Sequence, residues 1–359
     1  MPEPPGRRRR LQPVTKSEEI PGTELVYTDH DVPGITRQRL RRGWAYYDPH
    51  GRRIADRQEI DRLNRIGLPP AYEKCWFCGN ARGHLQAVGY DARGRRQYRY
   101  HPDFREARET SKYEQCAAFG RALPRLRRQV RRDLARGGAD KAIVCAAVVR
   151  LLDLGRVRVG NEAYRKANRS FGATTLRSRH ASVSRQQVRL EYRGKSGRLQ
   201  QVTVADRRLA RIVKRCQDLP GQTLFQFLDE EGARHPVTSA DINAYIGEAM
   251  GEGFTAKHFR TWGASVIAFA QIIAAGKAGP SLKPVLDAVA HALGNTAAIA
   301  RKSYVHPALV ALAKAGQPIT GIRLPRATQY LSRHERGLIS FLEEVQSLTD
   351  DGKTAGEHK

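Results

Sequence analysis

The sequence predicts an α+β protein, with a small N-terminal β-sheet domain followed by a larger, mostly α-helical domain that contains a small antiparallel sheet. From about residue 24 to residue 100, short apolar runs alternate with polar residues and are separated by turn residues, which is typical of strands. Beyond Pro102, apolar residues recur at helical spacing over long stretches. A chain of 359 residues is long enough for two domains with separate cores.

The chain carries a large excess of positive charge. It has 63 Lys and Arg residues against 36 acidic residues, a formal net charge of +27 and a sequence pI near 10.4. Such an excess fits a polyanionic partner, and the interleaved aromatic residues favour nucleic acid over a membrane surface. No apolar run reaches the length of a transmembrane helix, and the N-terminus lacks the apolar segment of a signal peptide.

The first region combines a basic arm with a strand-rich domain. Residues 1–20 are rich in Pro and Arg, and we expect a disordered basic arm there. Residues 21–104 form the predicted β-rich domain, which includes one helix capped by Asp56. Its predicted strands are Trp44–Tyr47, Cys75–Phe77, Leu85–Tyr90 and Gln97–Tyr100.

The last of these strands carries groups that can contact DNA. Alternation places Gln97 and Arg99 on one face and Tyr98 and Tyr100 on the other. A strand with amide, guanidinium and phenol groups can enter a groove and contact base edges and phosphates. Equally, the two tyrosines can pack inward while the arginines are solvated. The alternation of side chains along this strand does not decide between the two interpretations.

The second region, residues 105–348, is predicted to be mostly helical, and residues 349–359 to form a flexible tail. An apolar helix from Ala142 to Leu154 leads to Arg158, which stands between two valines and points either into a site or along it. Several short runs between Thr174 and Val204 predict a small antiparallel sheet. Its tightest turn would hold Lys195 at a hairpin tip, where solvent exposure is the simplest interpretation.

A tyrosine between turn signals is a candidate nucleophile. The apolar spacing predicts a helix that ends at Gly294, which suits a C-cap. Asn295 or Thr296 can then cap a second short helix that carries two cations and Tyr304. The ordinary pKa of a tyrosine hydroxyl is about 10, so it needs cations or a base before it can attack a phosphate. On this stretch alone, Tyr304 packing at a domain surface is the simpler interpretation.

The cysteines do not indicate a metal site. Five cysteines, an odd number, favour a reducing cytosol over a disulfide framework. Cys75 and Cys78 have the spacing of zinc ligands, but no second Cys or His pair has matching spacing, so we interpret them as ordinary strand residues. The sequence also has no Gly-rich phosphate-binding loop. We therefore expect no metal, no cofactor and a cytoplasmic location.

Taken together, these motifs resemble the bacterial and poxvirus type IB DNA topoisomerases, from about Val32 to Leu348. No single motif is specific, but their order along the chain matches. The motifs are Gly89-Tyr90-Asp91 through Gln97-Tyr98-Arg99-Tyr100, Arg158-Val159-Gly160 with Tyr164, Gly172–Leu176, Arg193-Gly194-Lys195, Lys257–Gly263, and Gly294-Asn295-Thr296 with Asn295 nine residues before Tyr304.

The resemblance implies a mechanism and a catalytic role for residues 105–348. Tyr304 would attack a DNA phosphodiester and form a 3′-phosphotyrosyl bond, so that strand rotation followed by religation relaxes supercoils. Arg158 and Arg260 would bind the non-bridging oxygens, and Lys195 would be the general acid for the leaving 5′-oxygen. No ATP or metal would be required. Asn295 departs from the family, whose best-known members carry a histidine there; its NH₂ can donate the same kind of hydrogen bond.

The resemblance also implies how DNA is bound. Residues 21–104 would be a DNA-binding domain, in which Gln97, Tyr98 and Tyr100 match positions that contact DNA. Tyr164 matches another such position, and Lys257 is expected to contact DNA as well. We expect a nucleoid-associated monomer that clamps double-stranded DNA between its two domains. Two alternatives stay open: a tyrosine recombinase, which shares the catalytic fold, and a non-catalytic DNA-binding protein of that fold.

Overall fold

The computed structural model describes residues 19–20, 23–318 and 324–354, with the side chains of residues 163, 164, 167 and 349–354 excepted. Most of the predicted basic arm, the side chain of Tyr164 and residues 355–359 of the predicted tail therefore lie outside the described residues. The chain divides into two compact units, Met1–Ser111 and Lys112–Lys359. Within the described ranges, no helix is long and apolar enough to cross a membrane.

The first unit is built on a five-stranded antiparallel sheet, whose neighbouring strands are, in order, Trp44–Tyr47, Ile35–Arg39, Glu73–Phe77, Leu85–Tyr90 and Arg96–Tyr100. Alternate residues of its strands, such as Tyr46 and Phe77, pack with Leu63 of the helix into a small core. Asp56 caps that helix, as the sequence predicts, by accepting a hydrogen bond from the backbone N–H of Gln58. The elements are β1 (Ile35–Arg39), β2 (Trp44–Tyr47), α1 (Arg57–Arg65), β3 (Glu73–Phe77), β4 (Leu85–Tyr90) and β5 (Arg96–Tyr100).

A long helix, α2 (Pro102–Arg136), begins in the first unit and continues into the second. Phe104 in its first turn packs with Ile20, Leu25 and Tyr100. The two units therefore divide at Ser111, seven residues after the boundary at residue 104 that the sequence predicts. The difference arises because the first turn of α2 still packs within the first unit.

The second unit is mostly helical around one large core. Its most buried helix, α3, is apolar on nearly all sides, which explains why it lies at the centre. Asp140 caps α3 by accepting from the backbone N–H of Ile143 at 2.9 Å. The helices are α3 (Lys141–Gly155), α4 (Glu162–Asn168), α5 (Arg207–Asp218), α6 (Ser239–Met250), α7 (His258–Ala275), α8 (Leu282–Leu293), α9 (Ala297–Ser303), α10 (Pro307–Ala315) and α11 (Arg333–Thr354).

Small antiparallel sheets complete the second unit and confirm the predicted fold class. Strand β7 pairs with β6 and β8, and its buried face alternates regularly through Val188, Leu190 and Tyr192. The last helix runs to Thr354, beyond the predicted tail boundary at residue 348. The strands are β6 (Ala181–Val183), β7 (Gln187–Arg193), β8 (Leu199–Ala205), β9 (Gln226–Leu228) and β10 (Arg234–Pro236).

Candidate active site

The turn between α8 and α9 sets the geometry of the site. Gly294 ends α8 with φ +61°, a left-handed conformation that favours glycine, and a Cβ there would lie 2.3 Å from Oε1 of Gln200. Thr296 caps α9 by accepting from the backbone N–H of Ile299 at 3.3 Å. Of the two caps that the sequence allows, the structure therefore uses Thr296. The side chain of Asn295 is left available for other contacts.

Tyr304 lies directly after α9, and two arginines meet at its side chain. Nη2 of Arg158 is 3.5 Å from the Tyr304 hydroxyl oxygen. The guanidinium carbon of Arg260 lies 4.8 Å from the centroid of the Tyr304 ring. The structure thus brings together Tyr304, Arg158 and Arg260, which are separated by up to 146 positions in the sequence.

These two cations change the acidity of the phenol. Burial by itself raises the pKa of Tyr304, but Arg260 and Arg158 outweigh it, and the pKa falls below its ordinary value of 10.0. A lowered pKa makes the phenolate easier to form, which a nucleophile requires.

Backbone carbonyls hold Arg260 in place. The residue is 5% exposed, on the buried face of α7. Its Nη1 donates to the Arg156 carbonyl, and its Nη2 donates to the Leu293 carbonyl at 3.1 Å. The Arg260 Nε is buried without a hydrogen-bond partner among the described residues. A buried guanidinium that carbonyls only partly satisfy is suited to receive an anion.

Asn295 joins the same cluster through Arg158. Nη2 of Arg158 donates to Oδ1 of Asn295 at 2.9 Å. This bond orients the amide, so that Nδ2 of Asn295 is left buried and, within the described chain, without an acceptor. Two unpartnered N–H groups, one on Asn295 and one on Arg260, therefore belong to the side chains grouped around Tyr304 and Arg158.

A neighbouring loop fixes the backbone at Arg158. The backbone N–H of Ala173 donates to the Arg158 carbonyl at 2.8 Å, and that of Thr174 donates to the Val159 carbonyl at 2.7 Å. Gly160 and Gly172 allow the two segments to approach, since a Cβ on Gly172 would lie 2.6 Å from the Gly160 backbone. The motifs at residues 158–160 and 172–176 thus form one structural piece.

Among the described residues, Lys195 makes no hydrogen bond with Tyr304, Arg158 or Arg260. It is exposed at the β7–β8 turn, and no hydrogen bond or ion pair holds it within the described part of the chain. The strands that carry it do reach the site, because Gln200 of β8 packs against Gly294, and Tyr192 of β7 lies near the arginines. Burial raises the pKa of Tyr192 to about 12 against the opposing effect of Arg260 and Arg158. Lys257, at the start of α7, is exposed too.

The predicted DNA-contacting residues of β5 belong to the first unit. Gln97 is half-buried, and its Nε2 donates to Asp91 Oδ2 at 3.0 Å. Tyr98 is 42% exposed and its ring stacks on that of Tyr100 at a centroid distance of 6.1 Å. Tyr100 in turn packs against Phe104. Of the two interpretations of this strand, the inward one holds for Tyr100, while Tyr98 remains accessible.

One group of possible metal ligands occurs among the described residues, in the first unit. Asp29, His30 and Asp31 place ligand atoms within 4.8 Å of one another. Nε2 of His30 is already 2.7 Å from Nη1 of Arg96, and both aspartates are exposed. Cys75 in β3 and Cys78, the residue directly after that strand, are buried free thiols.

Comparisons with known proteins identify the family. Residues 101–306, more than half of the chain, match the family model described as eukaryotic DNA topoisomerase I, catalytic core. The chain belongs to the type IB DNA topoisomerases. Residues 43–91 match the model described as bacterial DNA topoisomerase IB, N-terminal domain. This second match decides against the tyrosine recombinase alternative, because recombinases usually carry a helical domain at that place.

The similarity of the chain to a named viral protein supports its membership of the type IB topoisomerases. The chain is 29% identical over 289 residues to a protein of Acanthamoeba polyphaga mimivirus named DNA topoisomerase 1B. The alignment covers 77% of this chain and 86% of the relative. The family resemblance drawn from the motifs is therefore confirmed, and the chain is an enzyme whose substrate is DNA.

Several residues of this topoisomerase site could not be found from sequence. Arg156 contributes only its carbonyl, and its left-handed conformation with φ +53° has no signature in a non-glycine residue. Ser265 accepts a hydrogen bond from the backbone N–H of His306, two residues after Tyr304, at 3.1 Å. Lys112 and Tyr113 bond to carbonyls at the end of α9. These contacts join distant segments, and local spacing does not predict them.

Proposed function

We propose that Tyr304 is the nucleophile of this type IB topoisomerase. Its phenolic oxygen attacks a DNA phosphorus in line, a 3′-phosphotyrosyl bond forms, and the bond from phosphorus to the 5′-oxygen breaks. The leaving 5′-oxygen takes a proton and becomes a hydroxyl. Rotation of the cleaved strand and attack of that hydroxyl on the phosphotyrosyl bond restore the DNA with fewer supercoils. The meeting of Arg158 and Arg260 at Tyr304 is the observation that supports this role most strongly.

The two arginines and Asn295 stabilise the charge that develops on the phosphate. A guanidinium presents paired N–H donors that match the non-bridging oxygens. Nε of Arg260 and Nδ2 of Asn295 are buried and have no hydrogen-bond partner among the described residues. Because these donors are already removed from water, they can donate to a phosphate oxygen without first losing hydration. Arg158 serves twice, since it lies near the phenol and also orients the Asn295 amide.

Lys195 is the general acid for the leaving 5′-oxygen. Its exposed position on a short hairpin leaves the ammonium available to DNA, and Gln200, just after the hairpin turn, packs against Gly294. An ammonium has three donors on a flexible stem, so it can follow the leaving oxygen. The phosphate of bound DNA then lies between the Lys195 ammonium and the arginine cluster.

Both units bind DNA, and the protein works as a monomer that clamps the duplex. Tyr98 and Gln97 in the first unit and Lys257 in the second contact the DNA. The Tyr164 position is proposed from the family resemblance alone. The net charge of +27 supports extensive phosphate contacts. The phosphotyrosyl bond conserves the energy of the broken diester, so religation needs no ATP, and arginines supply the charge that a metal ion would otherwise bring.

Relaxation of supercoiled plasmid by dilute protein tests this function. We expect relaxation without ATP and in excess EDTA by wild type, and none by Tyr304→Phe, which keeps the ring but removes the nucleophilic oxygen. Filter binding should give similar DNA affinities for the two proteins. A strict Mg²⁺ requirement for cleavage would contradict the metal-free site. Relaxation by Tyr304→Phe that is free of wild-type protein would place the nucleophile elsewhere.

A further inference from the structure

The carbonyl groups just before Tyr304 are bonded by two residues at the start of the second unit. Nζ of Lys112 donates to the Ser303 carbonyl at 2.7 Å, and the Tyr113 hydroxyl lies 3.5 Å from the Lys302 carbonyl. Both donors come from α2, more than 180 positions earlier in the sequence. Ser303 is the last residue of α9, so its carbonyl has no partner inside that helix.

A cation at this place is well suited to hold the end of α9. The carbonyl end of a helix carries partial negative charge, and a lysine can bond to the last carbonyls. The Lys112 ammonium lies 4.1 Å from the centroid of the Tyr113 ring, and the Tyr113 ring makes an edge contact with His306 at 5.5 Å. The contacts of Lys112 and Tyr113 thus extend to both sides of Tyr304.

The backbone after Tyr304 is held as well. Ser265, fully buried on α7, accepts from the backbone N–H of His306. The His306 Nδ1 accepts from the backbone N–H of Ala308 and caps α10. With this side held by the core, the bond from Lys112 is a long-range hydrogen bond that holds the Ser303 end of the segment.

We infer that Lys112 is a positioning residue that sets the place of the Tyr304 hydroxyl for attack on DNA. The inference rests on the proposed role of Tyr304 as nucleophile. Lys112 does not touch the reacting atoms; it acts through the Ser303 carbonyl, one peptide unit from the nucleophile. Because cleavage and religation pass through the same phosphorus–tyrosine geometry, the loss of this bond should slow both steps, and a displacement of about 1 Å can cost up to ~100-fold.

The test compares Lys112→Met, which keeps most of the stem but no donor, with Lys112→Arg, which keeps a cationic donor. Lys214→Met is the matched control, since Lys214 is exposed on α5 and pairs with Asp218. Single-turnover cleavage would be measured on a duplex whose cleavage site has been mapped with wild type, and religation by adding a 5′-hydroxyl strand to the trapped complex. The DNA affinity of each protein would be measured as a function of salt concentration. The melting temperature of each protein would be measured separately.

We expect Lys112→Met to slow cleavage and religation by roughly 10- to 100-fold, with unchanged DNA affinity and salt slope. Lys112→Arg should recover much of the rate, and Lys214→Met should match wild type. A wild-type rate in Lys112→Met would overturn the inference, and so would equal losses in Lys112→Met and Lys112→Arg. A salt slope smaller by about one unit would also overturn it, because Lys112 would then be a phosphate contact.

Mapping the wild-type covalent adduct first separates this inference from the proposed function. An adduct on a residue other than Tyr304 refutes the proposed nucleophile. An adduct on Tyr304 together with a normal rate in Lys112→Met refutes only the role of Lys112.

Discussion

Arg158 donates a 2.9 Å hydrogen bond to the amide oxygen of Asn295, and the amide nitrogen of Asn295 is thereby left buried without an acceptor among the described residues. An unpaired buried donor costs about 1–3 kcal/mol unless a ligand satisfies it. In the proposed site, a non-bridging oxygen of the DNA phosphate is that ligand. Asn295, which replaces the histidine of the best-known relatives, thus keeps an N–H donor that can bond to the phosphate.

Asn295→Ala should slow single-turnover cleavage by roughly 10²–10³, the typical loss of one such donor. Asn295→Asp should be slower still, because it places an acceptor-only carboxylate beside the phosphate. Asn295→His should keep substantial activity and gain a pH dependence near the ordinary histidine pKa of about 6.5. The measurement is the cleavage rate against pH for all four proteins on one DNA. A wild-type rate in Asn295→Ala would show that the amide only orients Arg158.

Lys195 as general acid has a chemical test. A DNA in which sulfur replaces the leaving 5′-oxygen needs little proton donation, because a thiolate leaves readily. Lys195→Ala should therefore be severely slow on ordinary DNA and largely rescued on the sulfur substrate. Lys257→Ala, which also removes an exposed lysine of this unit, should show no such rescue. If the sulfur DNA fails to rescue Lys195→Ala, the lysine has a different role.

The lowered pKa of Tyr304 should be visible in the free protein. Burial raises this pKa, but Arg260 and Arg158 more than compensate, so the phenol should titrate below the ordinary value of 10.0. An ultraviolet difference titration of wild type against Tyr304→Phe isolates this one phenol among 13 tyrosines. In Arg158→Ala the titration should move to higher pH. No movement in that variant would mean that the arginine does not influence the phenol.

Breaking a buried ion-pair cluster should strongly destabilise the second unit. Arg127 bonds to Asp153 at 2.8 Å and to Glu335 at 2.7 Å, and Trp262 donates to Glu335 at 3.3 Å. Arg127→Met strands two buried carboxylates and should lower the free energy of unfolding by about 3–5 kcal/mol. Arg121→Met, on the same helix, breaks an exposed pair with Glu343 and should cost about 0–1 kcal/mol. Similar melting temperatures for the two variants would contradict this.

The same cluster predicts how stability changes in acid. Burial raises the pKa of Glu335, but its bonds to Arg127 outweigh burial, and the pKa lies below its ordinary value of 4.5. A carboxyl whose pKa is lower in the folded state contributes stability above its unfolded pKa and loses that contribution as pH falls through the folded pKa. The difference between wild type and Arg127→Met should therefore shrink below about pH 4.5. A difference that stays constant down to pH 3 would exclude Glu335 as its source.

Local patterns in the sequence predicted much of the fold, whereas the roles of the site residues came from the family resemblance and stay proposals. Strands β3 to β5 and helix α3 lie close to their predicted positions. The residues of β4 and α3 are buried on nearly all sides, so their continuous apolar composition was enough to predict both elements. The choice between Asn295 and Thr296 as the helix cap could not be made, since both residue types are favoured as helix N-caps. Only the structure shows that the amide oxygen of Asn295 accepts a hydrogen bond from Arg158.

The contacts that hold the site residues in place could not be predicted from the sequence, for a different reason. Arg260 is held by the carbonyls of Arg156 and Leu293, and any residue type can offer a carbonyl. The left-handed backbone at Arg156 has no signature either, because arginine rarely adopts it. Lys112 is one of 63 basic residues, and nothing near it in the chain marks its bond to Ser303.

Mass spectrometry of a trapped peptide–DNA adduct can identify the nucleophile of this topoisomerase. A duplex that loses a short 3′-fragment after cleavage holds the covalent complex, and protease and nuclease digestion then leave one modified peptide. We expect a nucleotide attached through its 3′-phosphate to Tyr304, with a 5′-hydroxyl on the released strand. An adduct on any other residue, or attachment through a 5′-phosphate, would contradict it.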